Sequence, residues 1–165
     1  MYTFINSEMK KEYLGLEYII FDNIIELEKK DQELVNSAIE ASKRAYAPYS
    51  NFHVGAAVRL SNNMIIQGNN QENAAYPSGL CAERVTLFYA HSAYPNETIE
   101  TIAIYANNIE ETYKEIVTPC GACRQVMAEF QTAQNKPLRV ILLSPELRGI
   151  ILPSVNMLLP FQFEL

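Results

Sequence analysis

The strongest constraint on this chain is the placement of its three cysteines. Cys120 and Cys123 enclose only Gly121 and Ala122, while Cys81 stands well upstream. Pro119-Cys120-Gly121 reads as a turn that opens a helix, so positions 120 and 123 fall at i and i+3 and point the same way. Such a pair can clamp one ion, and a third thiolate from another helix start completes three protein ligands. Three ligands leave the fourth tetrahedral position open, which is the arrangement of a catalytic rather than a structural zinc. Helix N-termini also favour negative charge and lower thiol pKa values, which keeps such ligands ionised.

Glu83, two residues after Cys81, gives this clamp a reaction to perform. A carboxylate beside a metal-bound water can take its proton and return it to a leaving group. The two histidines do not fit as ligands: His53 falls on an expected strand beside Phe52, and His91 falls late on a helix. The first fifteen residues mix Glu, Lys and Asn with apolar residues, unlike a secretory signal. Apolar runs such as Tyr18-Ile19-Ile20-Phe21 are far too short to span a membrane. The expected setting is therefore the reducing cytoplasm, where three thiols read as ligands or buried hydrophobes and not as disulfides. A net charge of −6, without a run of Lys and Arg, argues against nucleic acid as a partner.

The chain has 165 residues, the size of one domain with one core. Apolar spacing at Leu34, Ala38, Ala41 and Ala45 predicts a helix over 31–45, with Asp31 as its cap and Pro48 beyond its end. Residues 53–60 and 64–67 read as a hairpin across Ser61-Asn62-Asn63. Helices are expected over 82–93 and 122–132, and strands over 101–106, 138–143 and 150–152. Residues 17–21 read as an extra edge strand, and 23–30 as short helix or loop. Strands alternating with helices imply a layered α/β domain with a mixed sheet.

Four segments carry a family resemblance: Asn51-Phe52-His53-Val54-Gly55-Ala56-Ala57, Gly68-Asn69-Asn70-Gln71-Glu72-Asn73-Ala74-Ala75-Tyr76, Cys81-Ala82-Glu83-Arg84 and Pro119-Cys120-Gly121-Ala122-Cys123-Arg124-Gln125. In this order they resemble the cytidine deaminases, over roughly residue 31 to the C-terminus. With Cys81 where part of the class has histidine, the chain resembles the small homotetrameric branch with three cysteines. The resemblance implies a three-layer α/β fold with a mixed five-stranded sheet flanked by helices. Residues 31–165 would form the catalytic domain, and 1–30 an N-terminal extension.

It further implies one zinc per subunit on Cys81, Cys120 and Cys123, with zinc-activated water attacking C4 of the pyrimidine and Glu83 as proton shuttle. Backbone groups of Ala82 and Thr118 would meet the base, Phe52 would pack near it, and Asn70 and Glu72 would hold the ribose hydroxyls. Arg84 would donate to the sulfurs and offset their surplus negative charge, with Arg124 a second candidate. The substrate would be a free pyrimidine nucleoside, cytidine or deoxycytidine in salvage, since Glu72 would repel a phosphate. Phe163, with Phe161 as the alternative, from the tail Leu159-Pro160-Phe161-Gln162-Phe163, would reach a neighbouring subunit's pocket in a homotetramer. Rival readings are a deaminase of nucleoside antibiotics and a non-catalytic zinc module, and Glu83 argues against the second.

Overall fold

The structure is a computed structural model that describes residues 9–108 and 114–164. Residues 109–113, within the expected long connection over 107–118, lie outside the described residues. Continuous burial on both faces along the second half of β2 (Phe52–Leu60) fits its place inside the sheet, between two other strands. Ala56, Val58 and Leu60 enter one core cluster, while Ala57 enters another on the opposite face. The sheet order is β1 (Ile19–Phe21), β6 (Gly149–Leu152), β5 (Arg139–Leu143), β4 (Ile99–Asn108), β2, β3 (Ile65–Asn69). Among the described strands only β4 and β5 pair in parallel, and α3 (Gly121–Gln134) lies between them in sequence as the crossover such a pair needs.

Three layers result. The helix α1 (Lys29–Ser42) covers one face through Leu34, Val35 and Ala38. The helices α2 (Ala82–Ala93) and α3 cover the other through Leu87, Ala90, Met127 and Ala128. Two glycines permit the close helix–sheet approach: a Cβ on Gly55 would meet the Ala38 carbonyl oxygen at 2.0 Å, and one on Gly68 would meet Thr86 Oγ1 at 2.4 Å. The sheet has six strands rather than five, because the extension supplies β1, which pairs antiparallel with β6 through Ile19–Ile151 and Ile20–Ile150.

Asp31 is not the cap of α1. The helix starts at Lys29 with Glu28 at its N-cap, and Asp31 is buried in the first turn. Its carboxylate accepts two hydrogen bonds from the Arg139 guanidinium on β5, at 2.8 and 2.7 Å, and so bolts α1 to the sheet. Removing one partner leaves the other charge buried without compensation. Asp31→Ala should therefore lower the unfolding free energy by about 2–3 kcal/mol, below the usual 3–5 because water still reaches Arg139, which is 29% exposed. Denaturant titration of parent and variant reads the difference directly.

Candidate active site

Cys81 and Cys120 each occupy the N-cap of a helix, α2 and α3, with extended backbone angles. Neither side chain caps its own helix, so both sulfurs are free to turn toward a shared centre. Cys123, in the first turn of α3, is fully buried beneath them. The three sulfurs lie within 4.8 Å of one another, with Cys81–Cys120 at 3.9 Å and Cys120–Cys123 at 3.5 Å. Three sulfurs about 2.3 Å from a tetrahedral ion would stand about 3.8 Å apart, so the cluster fits zinc without rearrangement.

The thiols share charge unequally. The hydrogen bond from the Cys123 thiol outweighs burial and, with help from Arg84, holds Cys81 down to about 5. Cys123, whose proton bonds Cys81 and which is buried beside Glu83, is pushed up. Arg84 Nη2 donates to Cys81 Sγ at 3.7 Å. Arg124 does not: its guanidinium donates to the Pro119 and Leu158 carbonyls and to Thr118 Oγ1, so it ties the ligand loop to the C-terminal segment. Glu83 is only 5% exposed, and burial raises its carboxyl pKa.

A groove of about 420 Å³ opens beside Cys81 and Arg84, with Asn70, Glu72, Tyr49 and Tyr76 on its walls. Two backbone hydrogen bonds between Gln71 and Leu80, both 2.9 Å, clamp the Asn70–Glu72 segment to the residue before Cys81. Asn70 also braces β2, since its Oδ1 accepts from the Val54 amide at 2.8 Å and its Nδ2 donates to the Phe52 carbonyl at 2.9 Å. Thus the structure gathers Cys81, Glu83, Arg84, Cys120 and Cys123 at one point, with Asn70 and Glu72 along the groove and Phe52 on the strand Asn70 braces. Ala82 is buried at the first turn of α2, and Thr118 is held at the ligand loop by Arg124. Phe163 stands apart from this groove: its backbone bonds the Gln125 side chain at 2.9 and 3.3 Å, and it is 66% exposed.

Fold and thiol cluster together define a zinc-dependent deaminase domain. A family model described as the cytidine and deoxycytidylate deaminase zinc-binding region matches residues 28–136. A cytidine deaminase of Halalkalibacterium halodurans is 46% identical over 105 residues, 64% of this chain and 75% of that one. The crystal structure of cytidine deaminase from Burkholderia pseudomallei has 38% identity and a TM-score of 0.68, covering 79% of this chain and 97% of that one. Cytidine deaminase from Mycobacterium tuberculosis has 30% identity and a TM-score of 0.62, covering 81% and 96%. The chain belongs to the cytidine deaminase family of hydrolases, whose cofactor is zinc.

Sequence reasoning missed the residues that hold Glu72. The Ser50 hydroxyl and the Tyr49 and Ser50 amides all donate to its carboxylate. Ser50 Oγ also accepts from the Phe52 amide, across Asn51 at φ 54°, a left-handed position that Asn tolerates. The only signal was the turn-forming string Pro48-Tyr49-Ser50-Asn51. Desolvation pushes the Glu72 carboxyl up, but the bonds from Ser50 and Tyr49 outweigh it and keep it below the ordinary 4.5. Such a depressed carboxyl adds stability above its unfolded pKa, and that stability is lost as pH falls through the folded value. Ser50→Ala should move the Glu72 titration upward, read by carboxyl carbon NMR, and the stability gap to the parent should close below about pH 4.5. An unmoved Glu72 titration would contradict the assignment.

Proposed function

We propose that this chain hydrolyses the exocyclic amine of cytidine and deoxycytidine, giving uridine and deoxyuridine. The observation that carries the proposal is a buried carboxylate, Glu83, set against three sulfurs at the meeting of two helix N-termini. Cys81, Cys120 and Cys123 hold one zinc per subunit. Bound there, zinc supplies the Lewis acidity that makes water a nucleophile at neutral pH. Glu83 would take one proton from the attacking water and deliver it to N3 as the C4–O bond forms, then take the second proton from the new C4 hydroxyl and deliver it to the amino group, which leaves as ammonia when the C4–N bond breaks. Burial raises its carboxyl pKa toward the working pH, as a residue serving both as base and as acid requires.

Binding falls to the neighbouring groups. The Ala82 and Thr118 backbones receive the base carbonyl and the exocyclic amine, and Phe52 packs near the ring. Asn70 and the ionised Glu72 take the ribose hydroxyls, and the Glu72 charge disfavours a substrate phosphate. Arg84 offsets the surplus charge of three thiolates on a dication. The exposed Phe163 ring, whose backbone is held by Gln125, suits insertion into a second subunit's pocket in a homotetramer. Residues 31–165 form the catalytic domain and 1–30 an extension, and the enzyme serves pyrimidine salvage in the cytoplasm. Among the described residues no helix is long and apolar enough to cross a membrane.

Ultraviolet absorbance assays on cytidine and on CMP test the reading. The parent should turn over cytidine and discriminate against CMP. Zinc-loaded Glu83→Gln should keep its metal and lose at least about 10²–10⁴-fold in turnover. Near-parental rates in that variant would remove Glu83 from the role, and inactivity of the parent on every nucleoside would favour a structural zinc module.

A further inference from the structure

The segment before β1 is not used by the site. Residues 9–18 take no regular secondary structure, make no backbone hydrogen bond among the described residues, and lie N-terminal to the matched family region. They are nonetheless rich in large apolar residues: Met9, Tyr13, Leu14, Leu16 and Tyr18 are all exposed. The exposure continues into β1, where Ile19 is 61% and Ile20 66% exposed. Neighbouring strand residues point to opposite faces, so β1 is open on both faces at Ile19 and Ile20, while Phe21 is buried against the α1 layer. One side of β1 is bonded to β6, and the other side ends the sheet. An apolar free edge of this kind is a template for another strand.

The sequence of the arm indicates which strand. Two copies paired antiparallel about a two-fold axis must oppose residues of like parity, because opposed side chains share a face and the axis preserves that face. Within 9–19, two such registers oppose unlike charges. Lys10 opposite Glu12 pairs only five residues, whereas Lys11 opposite Glu17 pairs the whole segment. The second register sets Leu14 against its own copy, Met9 against Ile19, and Tyr13 against Gly15, where an aromatic ring can cover the bare glycine. The symmetry makes each contact twice, so two Lys–Glu pairs flank the Leu14 centre.

We propose that residues 9–19 are a dimerisation arm, pairing antiparallel with the same arm of a second copy about an axis at Leu14. The arm lies outside the catalytic groove, so its pairing is independent of the chemistry proposed above.

Cysteine cross-linking in the full-length, zinc-loaded protein tests both the pairing and its register. Leu14→Cys faces itself across the axis and should form a covalent dimer on mild oxidation, at least about tenfold faster than Leu16→Cys. In the proposed register two copies of position 16 are about 13 Å apart, beyond disulfide reach. Glu12→Cys and Leu16→Cys should each resist cross-linking alone and cross-link when mixed. Adding Lys11→Glu to Leu14→Cys should slow the dimer, and adding Glu17→Lys as well should restore it. Equal rates at positions 14 and 16, failure of the mixed pair, or no recovery on charge exchange would overturn the proposal. The exposed arm leaves folding and cytidine turnover as controls that should not change.

Discussion

Each α-helix leaves its first backbone N–H groups without partners inside the helix, and two such ends converge here. Cys81 starts α2, Cys120 starts α3, and both point their sulfurs to one centre above buried Cys123. The positive ends of the two helix dipoles favour thiolates, and three thiolates favour a dication. Everything at the site depends on this meeting of helix ends. It requires α2 and α3 on one face of the sheet, and the close approach at Gly68 that lets α2 lie against β3.

The same geometry explains the division of labour among carboxylates. Glu83, in the first turn of α2, is carried into the interior beside the sulfurs, and burial favours its protonated form. Glu72 lies on the open groove and is held ionised by three donors from Tyr49 and Ser50. Burial thus favours the neutral form of one acid, while hydrogen bonds favour the charged form of the other. The Gln71–Leu80 bridge then joins the two halves, fixing the segment around Glu72 to the approach to Cys81. Because bound metal ties together two helices distant in sequence, its binding free energy is also folding free energy.

Much of this was legible locally. The Cys-x-x-Cys spacing, the Cys-x-Glu pair and the hairpin turn at Ser61-Asn62-Asn63 each carry their own short-range physics, and β1 was visible as an apolar run near the N-terminus. What the sequence concealed was long-range pairing. Asp31 has the chemistry of a good N-cap, yet Arg139, far along the chain, claims it for an ion pair. Arg124 sits beside the ligands in sequence, but three oxygen acceptors draw it away from the sulfurs. No local pattern announces that Asn70 stitches the start of β2. The extra edge strand read over 17–21 is β1, and its pairing with β6 near the other end of the chain makes the sheet six-stranded.

The account stands on three cysteine sulfurs holding one open-sided zinc. X-ray absorption at the zinc edge of the purified protein measures that most directly. It should find three sulfur scatterers at about 2.3 Å and one lighter atom at about 2.0 Å, with one zinc per chain. Four sulfurs, fewer than three, or a zinc content that survives replacement of both Cys120 and Cys123 by alanine would contradict it.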